Sequence, residues 1–178
     1  MITTPNWLKS QTPPKNLSTK EQKMAFVIEL SRKNIENKTG GPFGAAIFDS
    51  KTNELISVGV NLVTSLNQSM FHAEVVAIMN AQKKLKTFDL KSQGNYELYT
   101  STEPCIMCMG AIIWAGLIKL YCGAEGKDAE NIGFDEGPKP ENWPGALEAR
   151  GIEVVRNLLG NEARRVLGLY KNQAGFIY

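Results

Sequence analysis

Two short stretches fix most of what this chain can fold into: FHAEVV at 71–76 and TEPCIMCM at 102–109. The first holds the only histidine, His72, two residues before Glu74; the second holds two of the three cysteines, Cys105 and Cys108. HAEVVAIMNAQKKL (72–85) reads as a helix with lysines at the end its dipole favours, and with Val75, Val76 and Met79 on one side. YELYTS (96–101) reads as a strand, and PCIMCMGAIIWAG (104–116) as a second helix with Pro104 in its first turn. One helix and one strand between the two stretches is the segment needed to set two helix N-termini side by side at neighbouring strand ends. Ligands in an open α/β sheet bind at such a place.

The rest of the chain fits that frame. Residues 1–17 are proline-bearing and read as an irregular leader, with Pro5, Pro13 and Pro14 opposing a helix. STKE at 18–21 is a capping-box pattern, Ser18 as cap and Glu21 reaching back, and predicts a helix near 18–37. AAIFD (45–49) and ELISVGV (54–60) read as strands of a hairpin, and 61–69 as a loop. LIKLYCGA (117–124) predicts another strand. Residues 125–145 read mostly as loop with a short helix, 152–157 as a strand and 161–173 as a helix. Strands alternating with helices give an α/β layered fold that opens with a hairpin and continues in parallel crossovers. With no internal repeat or linker, 18–178 is expected to form a single domain.

Bulk properties weigh against several classes. A formal net charge of +2 is nearly balanced, against the basic excess usual in nucleic-acid binders. Three cysteines do not make a secreted disulfide scaffold, the opening residues lack the apolar core of a signal peptide, and no apolar run is long enough to cross a bilayer. The expected setting is reducing and cytoplasmic.

Cys105 and Cys108, at i and i+3 on the first turn of a helix, place both sulfurs on one side, where the helix N-terminus favours thiolate. Alone, such a pair is equally a redox motif or two small core residues, and a lone histidine is more often an ordinary hydrogen-bonded side chain. The composite H-x-E with P-C-x-x-C is the signature of zinc-dependent nucleobase deaminases. On that reading His72, Cys105 and Cys108 bind Zn2+ and water takes the fourth position, with Glu74 as proton carrier. Because i and i+2 on a regular helix diverge, His72 must stand at the helix entrance rather than inside it. Cys122, in a predicted buried strand, reads as a small hydrophobe and not as a fourth ligand.

GGPFGAAI, GVN, FHAEVVAI, LYTSTEPCIMCMGAIIWA and GFDE, in that order, give the chain a resemblance to the cytidine deaminase superfamily, and within it to the bacterial guanine deaminases. The resemblance covers residues 40–136 well and 137–178 poorly. It implies a three-layer α/β/α sandwich with a mixed sheet, a zinc on His72, Cys105 and Cys108, Glu74 as proton shuttle, and hydrolysis of guanine to xanthine and ammonia. It further implies that Asn61 binds the base, with Ala73 beside it, and that Phe43, Trp114 and Phe134 line the pocket. Glu136 matches an acidic residue that binds the purine and relays protons, with Asp135 as the fallback. Tyr178 matches a terminal tyrosine in a lid, here 174–178, that crosses to a partner in a homodimer. Guanosine or a related heterocycle, a tRNA adenosine, or cytosine remain alternative substrates, and a non-catalytic zinc-bearing binding module is the alternative from outside enzymology.

Overall fold

A computed structural model describes residues 5–9, 14 and 17–178. Its centre is a five-stranded sheet of β1 (Gly44–Asp49), β2 (Leu55–Val60), β3 (Tyr96–Thr102), β4 (Lys119–Ala124) and β5 (Glu153–Val155), in the order β2-β1-β3-β4-β5. β1 runs antiparallel to both β2 and β3, and β3, β4 and β5 run parallel. Every residue of β3 is buried, as a strand covered on both faces requires. The two-residue alternation divides the side chains between two cores. Ala46, Phe48, Tyr99 and Tyr121 face a layer holding Met24, Val27 and Leu30 of helix α2 (Lys20–Glu36) and Val166 and Tyr170 of helix α8 (Gly160–Asn172). Ala45, Ile47, Leu98, Leu120 and Cys122 face the other layer, with Ala77 and Ile78 of helix α4 (Ala73–Leu85) and Met109 and Ile112 of helix α5 (Ile106–Ala115). The result is the expected three-layer α/β/α sandwich with a mixed sheet.

The local differences from expectation have physical causes. The cap of α2 is Thr19 with Gln22, one residue after the predicted Ser18 and Glu21. Both overlapping frames fit the pattern, but Gln22 Oε1 accepts from the backbone amides of Ser18 and Thr19 together, at 3.0 and 3.1 Å. Part of the leader is not irregular: Asn6–Lys9 forms a helical turn, α1, that buries Leu8 and lets Trp7 Nε1 donate to Thr39 Oγ1 at 3.1 Å. Pro5 starts that turn rather than opposing it, since its carbonyl accepts from Leu8 N; Pro13 and most of the remaining leader lie outside the described residues. Within the predicted loop at 61–69, Val63–Leu66 forms one helical turn, α3. The stretch after β4 holds two short helices, α6 (Gly126–Glu130) and α7 (Trp143–Glu148), the latter capped by Asn142.

Helix α4 buries Ala73, Glu74, Val76, Ala77, Ile78 and Ala81, while Met79 is 39% exposed and Val75 only half-buried. Of the three apolar residues expected to share the inward side only Val76 is buried, because much of the contact is made by small residues at close range. A Cβ at Gly59 of β2 would overlap the Ala73 carbonyl and the Ala77 amide. Gly59→Ala therefore pushes α4 off the sheet, with an expected loss of about 1–3 kcal/mol in a urea titration and a fall in zinc content, since this helix starts at His72. A variant of native stability and native zinc content would show that the contact is not tight.

Candidate active site

His72 is the N-cap of α4 and Cys105 the N-cap of α5, both in extended backbone, so each side chain projects from the mouth of a helix before the regular turns begin. This meets the requirement that His72 stand outside the helix proper. Cys105 O accepts from Met109 N at 3.0 Å as the first bond of α5, which leaves Pro104 ahead of the cap instead of in the first turn. Cys108 lies one turn in and is fully buried. His72 Nδ1 and Cys105 Sγ are 3.4 Å apart, and the ligand atoms of His72, Cys105 and Cys108 all lie within 4.8 Å of one another. A tetrahedral zinc with sulfur and nitrogen ligands spaces its donors roughly 3.3–3.9 Å apart, so the three side chains fit the ion. Cys122 is sealed in the core on β4 and does not join the group.

The electrostatics suit metal capture. The Cys108 hydrogen bond, aided by the one from His72, lowers the Cys105 thiol to about 4, a thiolate at neutral pH. Cys108 is raised well above the usual thiol range, because it gives its proton toward Cys105 and is buried beside Glu74. Burial pulls the His72 imidazole down, but the Cys105 hydrogen bond and the Glu74 charge outweigh it and leave it raised. Two cysteine sulfurs beside an imidazole are a donor set that a divalent cation would complete by displacing protons.

Glu74 is buried, its Oε1 accepting from Thr100 Oγ1 at 3.2 Å and its Oε2 from Cys108 Sγ at 3.4 Å. Burial, reinforced by the Cys105 charge, raises its carboxyl above the usual range. Glu136, on the loop between α6 and α7, is raised to about 7, again by burial first, with Lys139 pulling the other way. Both are carboxyl groups moved toward the pH at which proton transfer is efficient.

His72, Glu74, Cys105 and Glu136 open on one cleft. Phe43, Phe134 and Tyr178 form an aromatic slot in it: Phe134 meets the ring of Phe43 edge-on at 4.8 Å and that of Tyr178 at 5.3 Å. Asn61, 1% exposed, uses its side-chain oxygen to accept from Gly41 N and Val63 N, each at 3.3 Å, which leaves its NH2 group for the cleft. Among the described residues, two buried side-chain oxygens lack a hydrogen-bond partner, Glu136 Oε2 and Tyr178 Oη, and both residues line this cleft.

Ten predicted site residues reach the same neighbourhood, and two depart from their predicted place. Trp114 lies near the C-terminal end of α5 and is 80% exposed, because the inward face of that helix is taken by Cys108, Met109, Ile112 and Ala115; it does not line the cleft. Ala73 is fully buried and packs its carbonyl toward Gly59, so its side chain does not line the cleft either. Asp135 reaches the rim but spends Oδ1 on the Gly137 amide at 2.8 Å, the role of a turn residue. Sequence reasoning passed over Glu103 and Thr100. Glu103 stands directly before Pro104 in the signature stretch and lines the cleft, a position that marked it out; Thr100 gave no signal beyond its place on β3.

A paired His–Cys–Cys group with a buried glutamate at its side, at the strand ends of such a sandwich, defines a hydrolytic zinc deaminase of nucleobases. The cytidine and deoxycytidylate deaminase zinc-binding region matches residues 17–124, and the chain belongs to that family. The guanine deaminase of Bacillus subtilis is 42% identical over 109 residues, 61% of this chain and 67% of that protein. The solved structure of guanine deaminase from Nitrosomonas europaea superposes with a TM-score of 0.92 at 46% identity, covering 97% of this chain and 96% of that one. A tRNA-specific adenosine deaminase of Buchnera aphidicola is 32% identical over 134 residues, 74% of this chain and 82% of that protein.

Proposed function

We propose that this deaminase acts on a free purine base, converting guanine and water to xanthine and ammonia. The observation that carries the reading is the slot itself: aromatic rings set edge to face, the Asn61 amide and two buried oxygens without a hydrogen bond, around a cleft beside the metal group. A purine carries two flat faces for the rings and, on its edges, both donors and acceptors for Asn61, Glu136 and Tyr178. The relatives named above favour guanine among purines.

His72, Cys105 and Cys108 hold the zinc, which when bound brings the pKa of water to about 7 and so supplies a nucleophile at neutral pH. Glu74 takes one proton of the attacking water and delivers it to the ring nitrogen next to the attacked carbon, then takes the proton of the newly added hydroxyl and hands it to the departing amine, which leaves as ammonia. Glu136 faces the amine side of the base and carries a proton between it and solvent. Asn61 orients the ring and the aromatic slot excludes water. Residues 18–178 act as one deaminase domain whose last residues, 174–178, serve as a lid. Tyr170 Oη donates to Phe176 O at 2.6 Å and Tyr178 lines the chain's own cleft, which supports the lid role of the tail. The exposed apolar residues Ile106, Met107 and Trp114 along α5 support a homodimer; the cytoplasm is the proposed location, and no helix among the described residues is long and apolar enough to cross a membrane.

Deamination of adenosine in tRNA is the second reading, and Tyr178 disfavours it. A nucleotide joined to a polynucleotide must reach the metal from outside, where the tail now sits. The test is ammonia release by zinc-loaded protein from guanine, guanosine, cytosine, adenine and a tRNA anticodon stem. Guanine is expected to react at least about 100-fold faster than the others, within the discrimination a hydrogen-bonding pocket provides. Release from the tRNA stem with guanine inert would overturn the proposal.

A further inference from the structure

Resting on the deaminase reading above, we infer that Lys139 is a positioning residue: it holds the Glu136 carboxylate toward the base and is itself set in place by Glu103 and Arg156.

Glu136 has little else to hold it. It sits in an irregular loop, its backbone carbonyl accepts from Ile106 N at 3.1 Å, and its Oε2 has no hydrogen bond. Lys139, three residues on, brings Nζ to 3.5 Å from that oxygen. The same ammonium donates to Pro104 O at 3.3 Å, which ties it to the backbone just ahead of Cys105, and lies 4.0 Å from Glu103 Oε2. Glu103 is fixed from two further sides, by Arg156 Nε at 2.5 Å and by Gly126 N at 2.9 Å. The Trp143 ring receives both cations, Lys139 at 5.3 Å and Arg156 at 5.8 Å. Two carboxylates and two cations thus alternate from the surface inward, and the inner three side chains are nearly or fully buried.

The packing shows how closely the junction is built. An added Cβ on Gly126 would stand 2.6 Å from Lys139 Nζ and 3.6 Å from an oxygen of both Glu103 and Glu136. Three charged groups converge where α6 begins with a residue that has no side chain. An ammonium held by three groups besides Glu136 cannot follow a drifting carboxylate, so it fixes where that carboxylate stays. A displacement of about 1 Å in a group that orients substrate can lower turnover by 10²-fold.

A plain loop strut would have the same contacts, so the test is a double-mutant cycle. kcat and KM are measured for wild type, Lys139→Met, Glu136→Gln and the double variant, using whichever base of the panel above releases ammonia. A wrong choice of base therefore sinks the guanine reading and leaves this inference open to its own result. Lys139→Met is expected to lower kcat/KM by about 10–100-fold, to weaken binding of the reaction's product about tenfold, and to leave zinc content native. Lys139→Arg should recover most of the loss. In the Glu136→Gln background, Lys139→Met should lower kcat/KM by less than about threefold more. Full additivity of the two losses, or a native KM in Lys139→Met, overturns the inference. Should Lys139→Met fold poorly, Gly126→Ala retains every charge while displacing the ammonium, and is expected to lower kcat/KM about 3–10-fold; native kinetics there also overturn it.

Discussion

Glu74→Gln is expected to lower kcat by about 10³–10⁴-fold, the upper part of the range for a lost general acid–base group, while zinc stays near one per chain. The substitution is close to isosteric. An amide oxygen can still accept from Thr100 Oγ1, now 3.2 Å from the carboxylate, and the side chain still fills its buried site between α4 and β3. What disappears is a group able to take a proton and give it back. Burial already lifts the Glu74 carboxyl, so little driving force opposes its protonation during turnover. KM should change far less than kcat, since the proton is in motion only in the transition state. Cys108→Ala provides the contrast: it removes one of three ligands from a group whose atoms lie within 4.8 Å of one another, and both metal and activity are lost. Metal analysis beside steady-state kinetics separates the two outcomes. If Glu74→Gln lost its zinc, or kept kcat within tenfold of wild type, the carboxylate would not be the proton carrier.

The parts of this site that were legible in sequence are those whose chemistry is local. The two caps, His72 and Cys105, sit at fixed offsets from Glu74 and Cys108, and the intervening helix and strand are short enough for the topology to follow from right-handed crossover. The wall of the cleft is a different matter. Phe43, Asn61, Phe134 and Tyr178 come from four segments, and only the family resemblance grouped them; composition and periodicity gave no reason to do so. Trp114 shows the hazard of carrying such a grouping over whole, because helical phase turns it away from the inward side already taken by Cys108 and Ile112. The alanine face of α4 was missed for a related reason. Alanine adds little to a hydrophobic pattern, yet it is the side chain that allows approach to Gly59. The Arg156–Glu103 contact spans 53 positions along the chain, and pairings of that kind leave no periodic trace in sequence.

Lys23→Met is expected to destabilise the fold by about 3–5 kcal/mol, because it strands a buried carboxylate. Lys23 Nζ lies 2.5 Å from Glu97 Oε1, with side chains 4% and 8% exposed. Asn53 Oδ1 accepts from the same ammonium at 2.8 Å, and the rings of Phe48 and Tyr99 flank it at 5.0 and 5.5 Å. With the cation gone, Glu97 keeps only the long protein hydrogen bond from Tyr99 Oη, at 3.3 Å, in a largely buried setting. A loss of that size is a large share of the roughly 5–15 kcal/mol by which domains are stable, and corresponds to a fall of about 6–20 °C in thermal midpoint for a chain of this size. The pair need not be stabilising in itself: withdrawing two charges from water offsets most of their attraction. Lys23→Met combined with Glu97→Leu should therefore return to within about 1–2 kcal/mol of wild type. Urea titrations with unchanged m-values would measure both. The pair lies on the α2 face near the start of β3, whereas the metal group gathers beyond the other end of that strand, so KM in the folded fraction should stay native. A single variant that lost less than 1 kcal/mol, or a double variant that lost as much as the single, would mean that water or another cation reaches Glu97 after all.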